Sequence, residues 1–198
     1  MFIVNNVKIS CKIIEISLST IERICCRKKI NYKLYHNFIV FRTKGFTYTL
    51  FKKKFDTDSL KDCKKLQQHV NITKCLFKNI PKALRRLADI ISFDHTKLTY
   101  KIDTITASGS LGYFLDLEKI ISEKLDDACK ITYMPEKFPG LFISYQNKTL
   151  THNGRKPNSI TAIFFRSGKY VIVGCKSTKK IYDTEKWMIQ RIAAIHNI

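Results

Sequence analysis

An α+β fold is predicted for this chain: two copies of one α/β unit whose strands join in one antiparallel sheet of about ten, with four helices on one face. Three observations predict it. The order strand, helix, strands, helix occurs twice, roughly a hundred residues apart, the signature of an internal repeat. Short pieces recur in that order: "INYKLYHNF" at 30–38 answers "ITYMPEKF" at 131–138, "TYTLFKK" at 47–53 answers "TAIFFRS" at 161–167, and "VNITKC" at 70–75 answers "VIVGCK" at 171–176. Finally, "TAIFFRSGKYVIVGCK" at 161–176 reads as a hairpin about Ser167-Gly168, and both of its faces are apolar or nearly so. A hairpin with one wet side should carry a polar residue at every second position. The four helices can cover only one face of so wide a sheet, which leaves the second face for a partner.

The first unit spans residues 1–93 and opens with a β-like run at 2–14. Ser19-Thr-Ile-Glu22 is a capping-box pattern that starts a short helix running toward Lys28. A β-rich stretch at 38–52 follows, and then the polar run "KKFDTDSLKDCKKLQQH" at 53–69, an insertion on a surface loop. After a strand at 70–75, residues 77–91 carry Ile80, Leu84, Leu87 and Ile91 at helical spacing, with Lys82, Arg85 and Arg86 on the other side. The second unit, 94–198, repeats the order: strand 98–108, helix 116–127 from an aspartate cap, strand 141–145, a turn-rich loop at 147–158, strands 160–166 and 170–176, and helix 178–195. Alternation puts Thr161, Ile163 and Phe165 on one face with Val171 and Val173. Their expected counterparts in the first unit are Thr47, Thr49, Phe51, Val70 and Ile72.

Composition narrows the partner. The 198 residues hold 36 Lys and Arg against 16 Asp and Glu, a formal charge of +20, with 44% hydrophobic content. Such a field favours a polyanion, nucleic acid before an anionic membrane surface. No apolar run approaches the ~18–20 residues that span a bilayer, and the amino terminus does not read as a signal peptide. The seven cysteines, at 11, 25, 26, 63, 75, 129 and 175, form no CxxC pair, and the five histidines are scattered. Zinc ligation and a disulfide framework are therefore not expected, and the thiols are expected to pack in a reducing compartment. No Gly-rich phosphate loop, HExxH or GxSxG pattern occurs, so neither catalysis nor a cofactor nor a metal is expected.

An apolar sheet face framed by positive charge suits the DNA minor groove, where proteins push apolar wedges between base steps while basic groups hold the phosphates. Phe51 and Phe165 are repeat-related, as are Phe38 and Phe138, so two pairs of rings related by one pseudo-dyad are the candidate wedges.

"PEKFPGLFISY" at 135–145, followed by "AIFFRSGKYVIVGCK" at 162–176, resembles the second half of the TATA-box-binding protein core. That family's pattern is close to P-E-L-F-P-G-L-I-Y and then L-I-F-x-S-G-K-V-V-x-T-G-A-K. The resemblance covers essentially the whole chain, strong over 135–176 and faint in the first half. It implies a saddle of two pseudosymmetric repeats whose concave sheet sits on the minor groove, with wedges at Phe38, Phe51, Phe138 and Phe165. The groove-facing residues it implies are Asn5, Val7, Thr49, Val70, Ile72, Thr104, Thr106, Ile163, Val171 and Val173. Lys44 and Lys169 fall on phosphate-contacting positions.

The sequence departs from the family at several of these places. Thr104 stands where the second repeat has an asparagine, Ile72 and Val173 where threonines are usual, and Ser144 where an arginine is expected. "KKKF" and the insertion replace the first-repeat S-G turn. Bending of the minor groove is thus expected ahead of strict TATA specificity. Preference would come from deformable TA steps and from exclusion of the guanine amino group.

The partners implied are double-stranded A·T-rich DNA, a transcription factor IIB-like protein docking at Glu136, and RNA polymerase machinery. Lys82, Arg85 and Arg86 offer a convex helix face to a regulatory partner or flanking DNA. The expected state is a monomer on DNA, with weak self-association when free and no membrane attachment. The short, Lys-rich, divergent form points to a parasite or a large DNA virus, hence a nucleus or a cytoplasmic viral factory. The rival reading is a non-catalytic saddle domain serving as an accessory nucleic-acid-binding or protein-interaction module.

Overall fold

Side-chain alternation along ten strands sorts the chain into two halves, each with one helix-covered face. The computed structural model describes residues 2–14, 16–52, 67–123, 125, 129–145 and 160–197. One compact unit is Asn6–Asp103, and the other is Met1–Asn5 with Thr104–Ile198. The repeat of element order changes over near residue 93, whereas the compact units exchange the ends of two long strands.

The unit Asn6–Asp103 holds most of β1 (Ile3–Ile14), α1 (Leu18–Arg27), β2 (Asn31–Leu34), β3 (Phe38–Thr43), β4 (Phe46–Phe51), β5 (Gln67–Cys75) and α2 (Ile80–Ile91). Its antiparallel strands lie in the order β2-β3-β4-β5-β1. Ile39, Phe41, Tyr48, Leu50, Val70, Ile72 and the β1 residues Val7 and Ile9 form its buried face. Ile21 and Cys25 of α1 and Ala83 and Leu87 of α2 are buried with them. Each large aliphatic side chain removed from water contributes ~1.5–3 kcal/mol, and that burial holds helices this short in place. The Tyr48 hydroxyl donates to the Ala83 carbonyl at 3.0 Å, and Phe41 stacks on Tyr48 with centroids 5.0 Å apart.

The second unit is built alike from most of β6 (Thr99–Ser110), α3 (Leu117–Ser122), β7 (Cys129–Met134), β8 (Phe138–Tyr145), β9 (Ile160–Phe164), β10 (Lys169–Cys175) and α4 (Thr178–His196). The order is β6-β10-β9-β8-β7. Leu141, Ile143, Ala162, Phe164, Tyr170 and Ile172 are buried, as are Ile181, Met188 and Ile192 of α4. Tyr170 carries its hydroxyl to the buried Glu185 carboxylate. The α+β class, with ten antiparallel strands and four α-helices among the described residues, is the one predicted.

Several local expectations change. α1 is capped by Ser17, whose hydroxyl accepts from the Thr20 amide at 3.1 Å, so the cap lies two residues ahead of the capping-box serine. α3 starts at the expected Asp116 cap but ends at Ser122, short of residue 127. Residues 67–69, read as loop, begin β5, while 53–66 and the loop at 146–159 lie outside the described residues. β2 and β7 are edge strands, and their sequences, flanked by polar residues, carry little alternation to mark them.

A bulge recurs in both units. β5 slips by one residue against β1 between the Val7 and Ile9 pairings, and β10 slips by one against β6 between Ile172 and Cys175. Lys74 at φ 58° and Gly174 at φ 94° occupy the two bulges. The bulge amides are held alike: the Cys75 amide donates to Asn6 Oδ1 and the Gly174 amide to Thr104 Oγ1, each at 3.2 Å. Buried Cys11 and Cys25 pack in the first unit, and burial pushes each thiol up to about 11.

Candidate nucleic-acid interface

The face left bare by the helices is crossed in each unit by one row of paired residues. In the first unit the row is Lys33, Val40, Thr49, Asn71 and Ser10. In the second it is Thr132, Phe142, Ile163, Val171 and Ser108. The positions correspond but the chemistry does not throughout: Thr49 and Asn71 of the first become Ile163 and Val171 in the second, and Val40 becomes Phe142.

The four phenylalanines gather on these open faces, two in each unit. Phe38 pairs with Phe51 across β3 and β4, ring centroids 5.6 Å apart, and Tyr35 stacks on Phe38 at 4.5 Å. Phe138 lies 5.8 Å from Phe165 and 5.3 Å from Phe142. Phe51 is 42% and Phe138 39% exposed. These are large apolar rings in water, not core residues.

One contributor went unnoticed in the sequence. Gly140 lies under the Phe138 ring: a Cβ there would sit 2.5 Å from Phe138 Cε1 and 2.7 Å from Ile163 Cγ2. The ring is seated in the space where a side chain would be. No sequence periodicity signals this, because the glycine's φ is ordinary and only the packed ring shows why a side chain is missing.

Thr49, Thr106, Ile163, Val171 and Val173 are half-buried on the open faces, and Thr104 lends its hydroxyl to the β10 bulge. Asn5 is exposed and its amide donates to Ser108 Oγ at 2.7 Å. Val7, Val70 and Ile72 are different: at 0–1% exposure they lie on the helix-covered face. Register explains the correction. Val173 pairs on β9 with Thr161, and the corresponding β5–β4 pair is Thr73 with Thr47; Ile72 instead faces Tyr48. A slip of one residue turns every side chain to the other face. The first-unit open positions are therefore Asn71 and Thr73 on β5 and Asn6, Lys8 and Ser10 on β1, with Asn6 rather than Asn5 matching Thr104 at the bulge.

Among the basic residues, Lys169 is exposed at the start of β10, and its carbonyl accepts from the Phe165 amide at 3.0 Å, beside the second ring pair. Lys44 lies in the β3–β4 turn, at the far end of that hairpin from Phe38 and Phe51. Arg42, which the sequence did not single out, is exposed opposite Thr47 on the open face. Lys82 and Arg85 are exposed on α2, but Arg86 donates to the Lys44 carbonyl and lies 5.5 Å from the Phe46 ring centroid. Arg86 thus ties α2 to the hairpin. Glu136 is exposed in the β7–β8 turn, which closes with the Lys137 amide on the Met134 carbonyl at 3.0 Å. No helix among the described residues is long and apolar enough to cross a membrane.

Comparison with known proteins agrees with this arrangement. The family described as "Transcription factor TFIID (or TATA-binding protein, TBP)" matches residues 99–195. The TATA-box-binding protein of Pyrobaculum islandicum is 37% identical over 92 residues, 46% of this chain and 39% of that protein. The TATA-box-binding protein of Aeropyrum pernix is 26% identical over 154 residues, 78% of this chain and 66% of its own. The match thus spans about two-fifths of the length of the first of these relatives. In fold, the chain is similar to Methanococcus jannaschii TBP, with a TM-score of 0.67 at 21% identity over 98% of both chains. The second half of the chain thus matches the TATA-binding protein family by sequence, and the whole chain is similar in fold to one of its members.

Proposed function

We propose that the protein is a DNA-binding transcription initiation factor that applies its open sheet faces to the minor groove of A·T-rich promoter DNA and bends it. The observation that carries this reading is the pair of phenylalanine rings in each unit on the face without helices, one ring of each pair exposed, with Phe51 and Phe165 at repeat-related positions. Rings so placed fit between base steps, while Lys169, Arg42 and Lys44 supply cations to the phosphates. The charge of +20 makes binding fall steeply with salt, so affinity is read at a stated ionic strength. The exposed Glu136 turn is the docking point for a transcription factor IIB-like protein, and through it for a polymerase. Lys82 and Arg85 offer a second basic surface. The chain works as a monomer on DNA, in a nucleus or nucleoid, or in a cytoplasmic factory if its source is a large DNA virus. Like the transcription factor family that its second half matches, it is not an enzyme.

The test is energy transfer across an end-labelled A·T-rich duplex. The wild-type chain should shorten the end-to-end distance, and the double variant Phe138→Ala, Phe165→Ala should bind without bending while keeping its unfolding temperature within a few degrees. An unchanged bend in the double variant overturns the wedge assignment. Duplex binding that is wholly non-specific and vanishes at moderate salt favours a protein-interaction module instead.

A further inference from the structure

We infer that the first unit reads a guanine amino group, so that the preferred site holds one G·C pair within A·T-rich sequence. The inference rests on the minor-groove reading above. Its evidence is a polar cluster on the open face of the unit Asn6–Asp103. Ser10 on β1 pairs with Asn71 on β5, and its hydroxyl lies 3.1 Å from Asn71 Oδ1. The same hydroxyl donates to Oδ2 of Asp103 on β6. A serine has one proton and here has two acceptors beside it, one a carboxylate that can only accept. Lys101 Nζ stands 3.8 Å from Asp103 Oδ1, which offsets the negative charge on a surface that must meet phosphates. Asp103 keeps a side-chain exposure of 23%, and its carboxylate lies against the Ser10 hydroxyl, whose cross-strand partner Asn71 belongs to the open-face row.

The cluster therefore has lone pairs to spare, and the partner that fits it is a donor. The floor of the minor groove presents acceptors at A·T pairs and has a single donor, the N2 amino group of guanine. Acceptors facing acceptors repel, so an A·T edge under Asp103 is disfavoured, while a guanine amino group completes the cluster. The corresponding row in the second unit, Phe142, Ile163 and Val171, ends on Ser108 with no carboxylate, and a guanine amino group against those apolar groups would lose its hydrogen bonds.

The experiment moves one G·C pair stepwise through an A·T duplex and repeats the series with inosine·C, which lacks the amino group. The equilibrium constants are measured for the wild-type chain and for Asp103→Ala, with Asp103→Asn as a variant that keeps a hydrogen-bond acceptor for Ser10. At one position guanine should bind at least about fivefold more tightly than inosine, within the range of one good base contact, and at the others more weakly. Asp103→Ala should lose that preference and bind the all-A·T duplex more tightly than wild type. If inosine matches or beats guanine at every position while the A·T duplex still binds, the guanine contact is wrong and the minor-groove reading stands. If Asp103→Ala leaves the pattern unchanged, the cluster is not the reader. If no duplex binds beyond the salt-sensitive background, both readings fall together.

Discussion

Replacing Gly140 by alanine separates the wedge from the fold. The new methyl group would lie 2.5 Å from Phe138 Cε1, 2.7 Å from Ile163 Cγ2 and 3.2 Å from Phe138 Cδ1. Carbon atoms settle at roughly 3.5–4.0 Å, so the overlap with the ring is about 1 Å. Phe138 is 39% exposed and can swing outward, so the ring yields before the strand does. The stability loss then falls at the low end of the ~1–3 kcal/mol typical of overpacking. For a chain of this size that lowers the unfolding temperature by about 2–4 °C. The displaced ring is no longer packed against Phe165 and Phe142, and bending should drop as far as in Phe138→Ala. Energy transfer on a labelled duplex and a thermal melt are the two readouts. A Gly140→Ala chain that bends DNA like wild type refutes the claim that the glycine seats the wedge.

Two further outcomes concern stability. Lys74 holds φ 58° at the first bulge where its counterpart is Gly174, so Lys74→Gly should relieve left-handed strain of ~1–2 kcal/mol against a smaller entropic cost. A net gain of about 0.5–1 kcal/mol, read as a raised melting temperature, is expected, and a lowered one argues that the lysine side chain holds the bulge. Cys11 and Cys25 ionise near 9.0 when exposed but near 11 in the fold, because burial opposes the thiolate. Their contribution is complete below pH 9.0 and is lost as pH rises toward 11, so wild type should lose stability relative to Cys11→Ala over that window. Parallel melting curves for the two chains across it would rule this out.

The second unit was legible because its hairpin alternates cleanly. Ile163 does face Val171 and Thr161 does face Val173, with Phe164 and Tyr170 beneath them. Phe51 and Phe165 do hold corresponding positions, but by register Phe38 matches Gly140, and Phe138 lies two residues before it. In the first unit the alternation was equally plain: Val7, Ile9, Cys11 and Ile13 share one parity of β1, with Lys8, Ser10 and Lys12 on the other. Matching it by position to the second unit, for Val70 and Ile72, and to the family, for Val7, placed all three on the wrong face, where polar alternation by itself would have set them inside. The bulge at Lys74 shifts the count by one and has no signature in sequence, since lysine rarely adopts a left-handed φ. The Ser10–Asn71–Asp103 contacts depend on strands far apart in the chain, and only the register brings them together.

The unlike rows of the two units bear on direction. If the chain binds promoter DNA as proposed, two units with equal linings would accept the DNA in either direction. The central row of one unit presents a hydroxyl and an amide where that of the other presents Ile163 and Val171, so on the proposed reading the two directions of binding set different linings against a given sequence. A difference of about 1.4 kcal/mol between the two placements is enough to favour one of them tenfold, and a single mismatched contact supplies that much.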